Sequence, residues 1–234
     1  MFKGSKYLKA KFPKSYNSIK KIAVTVFRKK SHHDVFTSKY RNKEWGRDGS
    51  VSGPGSETDV TEKMRIELEK LLISISIKSL LDAGCGDFNW MREINLNGIN
   101  YTGIDVVEEL IIDNVKKYSA ENIRFIFSDI ANDVLPESDI IICRDVLVHY
   151  PLKEIKHCIN NFKNSGAKYL LATTFKNTKL NEDIFIGGWR TLNMQIHPFN
   201  FPEPVYELAE MLDKSGKHFP DKYLAMWKLE DINA

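Results

Sequence analysis

Cysteines and long apolar runs are both scarce in this sequence, and each shortage narrows the class of protein. Three cysteines among 234 residues are too few for a disulfide-stabilised scaffold and fit a reducing compartment. Their spacing forms no zinc pattern, so the sequence indicates no metal site. The longest apolar runs, Ile22–Phe27 and Ile140–Cys143, are far shorter than the roughly 20 residues of a membrane-spanning helix. A hydrophobic content of 42% is still enough for a folded core.

Acidic residues are missing from the first 30 positions, which hold ten Lys and Arg, whereas the rest of the chain carries 24 basic and 31 acidic side chains. We treat residues 1–38 as a basic arm. Such an arm is attracted to an anionic membrane surface, to RNA or to an acidic glycan; the alternative is a solvated tail. Because its apolar stretch is short and no cleavage site follows, we expect no secretory signal. The sequence thus predicts a cytoplasmic protein, and attachment to the surface of a membrane is the alternative.

Residues 39–234 are expected to form one domain that begins with a glycine-rich segment. Four glycines lie between positions 46 and 55, and Trp45 and Arg47 lie beside them. Glycine lets a backbone approach a ligand closely. The segment is therefore either a flexible linker or a loop shaped against a ligand, and the presence of Trp45 and Arg47 favours the second interpretation.

Short apolar runs alternate with helical patterns through the middle of the chain. Strands are predicted at 79–83, 101–104, 123–127, 139–143 and 168–173, and helices at Glu93–Asn97, Glu108–Tyr118 and Leu152–Phe162. Several of the strand runs are apolar at consecutive positions, as in strands covered on both faces. Alternation of strands and helices favours a parallel sheet with right-handed crossovers.

Elements are also predicted on either side of this region. A helix should begin near Ser56 or Thr58. Its apolar face is expected to consist of Val60, Met64, Leu68, Leu71 and Leu72. Lys222–Leu229 has the pattern of a last strand. Val205–Leu212 suits either a helix or a strand paired with that last strand.

The clearest functional pattern begins at the first predicted strand. This strand ends in Asp82, and Gly84 and Gly86 follow at the turn, where bare backbone lets a ligand lie close. Asp105 ends the next strand and is placed to accept hydrogen bonds from two ribose hydroxyls. Asp129 follows the third strand and is placed to reach an adenine edge. The pattern predicts a nucleoside pocket.

Two common nucleotide-binding motifs are absent from the sequence. The dinucleotide fingerprint needs a third glycine where Asn89 stands, which argues against a pyrophosphate cradle and an NAD-linked oxidoreductase. No GK[ST] motif occurs, so we do not expect a nucleotide triphosphatase.

Four motifs resemble those of the class I S-adenosylmethionine-dependent methyltransferases. LDAGCG is similar to the first motif of that family, YTGIDVV to the second, FSDI to the third, and SDIIICRDVLVHY to the fourth strand and its loop. The match covers residues 56–175. Phe88 stands where the family usually has another glycine, so we expect different packing there. The resemblance implies a Rossmann-like fold with a mostly parallel seven-stranded sheet and helices on both faces, and S-adenosylmethionine as cofactor.

The resemblance also implies roles for individual residues. Those expected to bind the cofactor are Asp82, Gly84, Cys85, Gly86, Asp105, Val106, Asp129, Ile130 and Arg144. A hydroxyl acceptor would gain from a general base beyond the fourth strand, where the candidate catalytic residues are His149 and Asp145. His149 titrates near neutral pH, and Asp145 either orients it or is itself the base. Alternatively, Asp145 only caps a turn and His149 only packs beneath Pro151.

In the implied fold, residues 176–204 form an insertion on the substrate side. Trp189 is suited to stacking on a sugar or a base, and Arg190 to clamping a carboxylate or phosphate; alternatively, Trp189 fills the core. The segment 39–57, with Trp45 and Arg47, is expected to close over the cofactor as a lid. These two tryptophans and two arginines are the candidate substrate-binding residues.

The leading interpretation of function is O-methylation of a sugar or another small glycan-linked acceptor. Four segments taken together also resemble a subgroup of the family that is associated with glycan assembly, namely GDFNWM, SVSGPGS, GGWR and PFNFPEP. An RNA methyltransferase is the alternative that the basic arm favours, although the body is net acidic and has no dense basic stripe. A nucleoside-binding protein without turnover is the third possibility.

Overall fold

The structure is a computed structural model that describes residues 31–46, 49–210 and 219–233. Most of the basic arm, and Arg47, lie outside the described residues. Residues from His32 onward form one unit, and the helix His32–Arg41 belongs to it. This unit begins before residue 39, because Phe36 of that helix is buried in the core.

The described residues form a seven-stranded sheet with helices beside it. The strands are β1 (Ser79–Ala83), β2 (Asn100–Asp105), β3 (Ile123–Phe127), β4 (Ile140–Cys143), β5 (Tyr169–Phe175), β6 (Tyr206–Ala209) and β7 (Lys222–Lys228). The helices are α1 (His32–Arg41), α2 (Thr58–Ser74), α3 (Glu108–Tyr118) and α4 (Leu152–Asn164), and 3₁₀ turns cover Pro54–Ser56, Met91–Glu93, Leu147–His149 and Leu229–Asp231. The predicted strands are present.

The strand order is β3-β2-β1-β4-β5-β7-β6. Strands β1 to β5 pair with one another in parallel, whereas β7 is antiparallel to both β5 and β6. The sheet is therefore mixed, and the predicted parallel character holds for its first five strands. The order changes direction between β1 and β4, which creates a crevice at the carboxyl ends of the strands, where open α/β sheets bind ligands.

Each face of the sheet carries its own hydrophobic core. Successive strand residues point to opposite faces, so Leu81 packs in one cluster with Phe36 of α1 and Ile155 of α4. Leu80 packs in the other cluster with Leu68 of α2. Helices thus cover both faces, as predicted, and the layers hold the strand ends in place.

One predicted helix, Glu93–Asn97, is absent from the structure. The turn Met91–Glu93 ends there, and Ile94 continues in an extended conformation. Ile94 and Leu96 are both buried while Asn95 is exposed. The two apolar residues, Ile94 and Leu96, are therefore spaced as in an extended segment, which buries every second side chain, and not as on the face of a helix.

The segment Val205–Leu212 forms a strand where it is described. Tyr206–Ala209 pairs antiparallel with β7, and Leu208 is buried. The buried face of α2 also differs in one position from the prediction, because Thr61 is buried there and Val60 is not.

Candidate active site

Two adjoining cavities lie at the carboxyl ends of the strands. The β1–β2 cavity is lined by the turn after β1, by the end of β2 and by the loop after β4. The β5–β7 cavity lies beside the end of β5 and the start of β7. Residues that line both are Trp45, Ser52, Ser56, Asp145 and His149. These shared residues form the boundary between the cavities.

The turn after β1 presents bare backbone to the β1–β2 cavity. Gly84 and Gly86 line it with φ of +93° and +55°, a region that favours glycine. A Cβ on Gly86 would lie 2.1 Å from Ser52 Oγ, and a Cβ on Gly84 would lie 2.4 Å from Val146 Cγ2. The two positions therefore exclude a side chain, and Cys85 between them also lines the cavity.

Phe88 packs where the family usually has a glycine. Its φ of +59° keeps the left-handed backbone that glycine would allow. Its buried ring lies 5.0 Å from the ring of Tyr101 and 5.1 Å from that of Phe125, between centroids. Apolar burial of the ring offsets the backbone strain at this position.

The Asp105 carboxylate lines the β1–β2 cavity together with Val106. Asp105 Oδ2 accepts a hydrogen bond from Gly86 N (3.0 Å) and Oδ1 accepts one from Val107 N (2.9 Å). Burial raises the pKa of Asp105, although these N–H groups oppose the rise. The backbone thus orients a carboxylate that can accept further hydrogen bonds from hydroxyl groups.

Asp82 lies beneath the same turn and lines neither cavity. Its Oδ2 accepts a hydrogen bond from the Tyr101 hydroxyl (2.8 Å). Burial raises the pKa of Asp82 to about 7. The prediction that Asp82 touches the cofactor is therefore unsupported by its placement, because the period-two geometry of β1 turns this side chain into the buried layer.

Asp129 also lies away from both cavities, while its neighbours Ser128 and Ile130 line the β1–β2 cavity. Its Oδ2 lies 2.9 Å from His32 Nδ1 of α1. Asp129 therefore holds α1, and α1 in turn places Phe36 in the lining of the cavity. Ser128 and Ile130, rather than the Asp129 carboxylate, therefore line the cavity at the end of β3.

Arg144 follows β4, lines the β1–β2 cavity and contacts a carboxylate, a carbonyl and an aromatic ring. Its Nε lies 2.5 Å from Glu210 Oε1, and its Nη2 donates to the Gly55 carbonyl (2.8 Å). Its guanidinium lies 5.2 Å from the ring centroid of Trp90. Arg144 thus connects the glycine-rich segment to the end of the sheet.

Asp145 has a φ of +57° and points to two cations. Its Oδ2 lies 2.7 Å from Lys222 Nζ and 3.6 Å from Arg144 Nη1. Burial by itself would raise the pKa of Asp145, but these cations outweigh burial and hold the pKa below its usual range. Because a strongly stabilised anion is a weak proton acceptor, this environment does not favour Asp145 as a general base.

His149 is held in one tautomer at the boundary between the cavities. Its Nδ1 lies 2.6 Å from the Gly188 carbonyl oxygen. Because a carbonyl only accepts, Nδ1 carries the proton and Nε2 of the neutral ring has a free lone pair. Burial lowers the pKa of His149, although the bond to Gly188 and the charge of Asp145 oppose it. The ring is therefore set up to accept a proton.

The two predicted tryptophans reach the cavities. Trp45 lines both, and its ring centroid lies 5.6 Å from that of His149. Trp189 lines the β5–β7 cavity and is 50% exposed, so it does not fill the core. Its ring packs beside those of Phe175 and Phe219, which line the same cavity.

Arg190 does not line either cavity. Its Nη1 and Nη2 donate to the carbonyls of Val148 and Tyr150 (2.8 Å each). Arg190 therefore holds the turn that carries His149 instead of pointing to a ligand. Arg47, the fourth predicted substrate-binding residue, lies outside the described residues.

Glu210 and Lys222 also line the β5–β7 cavity, although no sequence pattern predicted them as site residues. Isolated Glu and Lys side chains are common on solvated surfaces, so neither residue type indicated a site. Only the pairing of β6 with β7, and of β7 with β5, brings them to Arg144 and Asp145.

Within the ranges that the structure describes, no helix has both the length and the apolar character to cross a membrane. The same ranges contain no group of three or more His, Cys, Asp or Glu side chains arranged to hold a metal ion.

Comparison with known proteins identifies the chemistry of this site. A family model described as "Methyltransferase domain" matches residues 81–165, from β1 through α4. The ubiquinone biosynthesis O-methyltransferase of Coxiella burnetii (strain Dugway 5J108-111) is 28% identical over 177 residues, which cover 67% of this chain and 74% of that protein. The chain contains a methyltransferase domain and is an S-adenosylmethionine-dependent methyltransferase. S-adenosylmethionine is its cofactor, as predicted.

Solved structures share the fold of this methyltransferase. The magnesium protoporphyrin IX methyltransferase of Synechocystis PCC 6803 with bound S-adenosylmethionine has a TM-score of 0.51 and 16% identity, over 85% of this chain and 97% of that one. The N-methyltransferase NodS of Bradyrhizobium japonicum WM9 has a TM-score of 0.54 and 16% identity, over 73% of this chain and 96% of that one. None of these relatives supports the predicted glycan-assembly subgroup.

Proposed function

We propose that this methyltransferase methylates a hydroxyl oxygen of a small ring compound, with His149 as the general base. The observation that carries the proposal is the neutral, tautomer-fixed imidazole at the boundary between the two cavities. An oxygen nucleophile gains from such a base because its proton must leave during attack. The Coxiella relative is an O-methyltransferase, which supports the same choice of atom.

In this proposal, S-adenosylmethionine occupies the β1–β2 cavity and supplies an activated methyl group. The turn from Gly84 to Gly86 is suited to hold it, because both glycines present bare backbone to this cavity. The Asp105 carboxylate is suited to accept hydrogen bonds from the ribose hydroxyls. Val106 and Ile130 provide an apolar lining for the adenine.

The chain itself positions the acceptor and moves its proton. The acceptor occupies the β5–β7 cavity, and its hydroxyl proton passes to His149 Nε2. The Gly188 carbonyl keeps Nδ1 protonated and the ring in place. The negative charge of Asp145 favours the imidazolium that results, so we assign Asp145 to electrostatic support. The segment around Ser52 lies between both cavities and limits the access of water.

The acceptor is proposed to be a ring because Trp189, Phe175 and Phe219 form an aromatic wall in the β5–β7 cavity. Both a sugar, including a glycan-linked one, and a phenol can stack on such a wall. The basic arm is proposed to keep the enzyme near an anionic partner, either a membrane surface or RNA. An RNA acceptor remains the second candidate on the strength of that arm.

A methyl-transfer screen tests the proposal. Purified full-length protein is incubated with S-adenosylmethionine that carries a tritiated methyl group and with phenols, free sugars, lipid-linked glycans or RNA. We expect label in a small hydroxyl compound, as an ether that is stable to mild base. Label in RNA alone, or in nitrogen or sulfur acceptors alone, contradicts the proposal.

A further inference from the structure

We infer that Glu210 determines acceptor specificity by accepting a hydrogen bond from a second donor group on the acceptor, apart from the hydroxyl that is methylated. The inference rests on the proposed function in one respect, since it places the acceptor in the β5–β7 cavity. The requirement for a second donor group on the acceptor is separate from the roles proposed for the glycine turn and for His149.

The Glu210 side chain is only 5% exposed and lines the β5–β7 cavity. Its Oε1 takes the charge-assisted contact with Arg144 Nε at 2.5 Å. Its Oε2 is buried and, among the described residues, has no hydrogen-bond partner. Lys222 Nζ lies 3.1 Å from Oε2, but the geometry is not that of a hydrogen bond, and the shorter contact of this ammonium, 2.7 Å, is with Asp145.

Lys222 balances the charge at Oε2, but a buried carboxylate oxygen that accepts no hydrogen bond has still lost the donor that water would offer, and this loss is costly. A ligand that offers an O–H or N–H group removes this cost, whereas a ligand without one leaves it in place. A buried polar group of this kind discriminates strongly between two compounds that differ only in one donor.

The residues around Glu210 indicate the charge and the shape of the acceptor. Glu210 and Asp145 are balanced by Arg144 and Lys222, so the cluster has no net charge and does not favour a charged acceptor. The aromatic wall defined above favours a ring, and the cavity volume of about 320 Å³ leaves room for one. The acceptor class is therefore a neutral ring compound with at least two hydroxyl groups.

Binding of matched probes tests the inference without any methyl transfer. Resorcinol is compared with 3-methoxyphenol, and methyl glucopyranoside with each of its monodeoxy analogues, by following the fluorescence of Trp189 in the wild-type protein and in a Trp189→Phe control. We expect the compound with the additional donor to bind about tenfold more tightly in at least one of the two series. The series that responds distinguishes a phenolic acceptor from a sugar.

In the Glu210→Gln variant, we expect the preference between the matched probes to reverse. Arg144 and Lys222 both only donate, but Arg144 is the closer, at 2.5 Å compared with 3.1 Å, and Lys222 also has Asp145 as a partner. We therefore expect the amide to turn its oxygen to Arg144 and its NH₂ group to the position of Oε2. A donor then replaces an acceptor, and the preference should reverse toward the methoxy or deoxy compound. Glu207→Gln is the matched control, because Glu207 lies on β6, three residues before Glu210, and does not line the cavity. Its Oε1 is also buried and has no hydrogen-bond partner among the described residues. The preference of this variant should equal that of the wild type.

The outcomes separate this inference from the proposed function. Equal affinities within both series in the wild-type protein, or no saturable binding of any probe, overturn the inference even if Glu210→Gln fails to fold. A preference that Glu210→Gln leaves unchanged, at a melting temperature close to that of the wild type, also overturns it. Failure of methyl transfer to any hydroxyl, with the donor preference and its reversal intact, refutes the proposed function and leaves the role of Glu210 standing.

Discussion

Ser52 and Asp87 hold each other in a reciprocal pair of hydrogen bonds. Ser52 Oγ donates to Asp87 Oδ1 and accepts from Asp87 N, each at 3.0 Å. Ser50 Oγ and Val51 N donate to the other carboxylate oxygen, each at 2.9 Å. One side chain of the turn after β1 therefore anchors the glycine-rich segment that borders both cavities.

Asp87→Ala should weaken cofactor binding although Asp87 lines neither cavity. Loss of three hydrogen bonds to its carboxylate frees residues 50–52, and ordering them on binding should cost about 1–3 kcal/mol. Isothermal titration with S-adenosylhomocysteine measures this as an increase in Kd of about tenfold or more. Asp113→Ala, at an exposed acid on α3, is the control. Equal Kd values for the two variants would show that the anchor is dispensable.

Asp105→Ala should also weaken cofactor binding, by about 1–3 kcal/mol, through loss of charge-assisted hydrogen bonds to the ribose. Asp105→Asn keeps one oxygen and the size of the side chain, so its loss should be smaller. Titration with S-adenosylhomocysteine and with adenine alone separates the effects, because adenine lacks the ribose. An unchanged Kd for the nucleoside ligand in Asp105→Ala would rule out the ribose role.

His149→Gln should lower kcat by roughly 10²–10⁴ while the Kd of the cofactor stays the same. In the wild type, kcat/KM should fall as the pH drops, because protonation of the imidazole removes the base. Burial lowers the pKa of His149, so the inflection should lie below about 6.5. His157→Gln, at an exposed position on α4, should leave the pH profile unchanged. A loss of cofactor affinity in His149→Gln would instead indicate a structural role.

Asp82→Asn should stabilise the protein above neutral pH. Burial raises the pKa of Asp82 to about 7 in the folded state, compared with about 3.9 in the unfolded chain. Between these values the folded state binds more protons, so the free energy of unfolding falls as the pH rises. Asparagine mimics the protonated acid and still accepts from Tyr101.

The gain at pH 8 should approach roughly 4 kcal/mol as an upper bound, with little difference at pH 4. Urea unfolding at both pH values measures it. Asp139→Asn should behave in the opposite way, because hydrogen bonds from the backbone of Lys78 and Ser79 lower the pKa of Asp139 and a neutral amide oxygen accepts them more weakly than a carboxylate does. If the free energy of unfolding depended on pH in the same way in Asp82→Asn and in the wild type, the raised pKa of Asp82 would be contradicted.

Deletion of residues 1–30 should leave the Kd of the cofactor unchanged, because the described unit begins at His32. Retention on vesicles that contain 30% phosphatidylserine should decrease at low salt, since ten basic side chains are removed. A filter-binding assay with RNA, performed in parallel, distinguishes the two anionic partners. Undiminished retention on both would show that the arm is not the anchor.

The local sequence determined those features that depend on short-range geometry. The alternation of apolar runs predicted the strands, because consecutive residues of a covered strand are all buried. Gly84 and Gly86 predicted the turn after β1, since their positive φ and the close approach of Ser52 exclude a side chain. Asp105 was predictable as a cavity residue because it stands at the end of a strand next to β1 in a parallel sheet.

Tertiary structure alone decided which polar side chains reach the cavities. Asp129 and Arg190 had plausible ligand chemistry, but His32 and the carbonyls of the turn before α4 occupy them. Glu210 and Lys222 carried no local signal, because their function depends on the antiparallel insertion of β7 between β5 and β6. Hydrogen bonds and ion pairs between groups far apart in the chain depend on how the strands are ordered, and short-range sequence patterns do not encode that order.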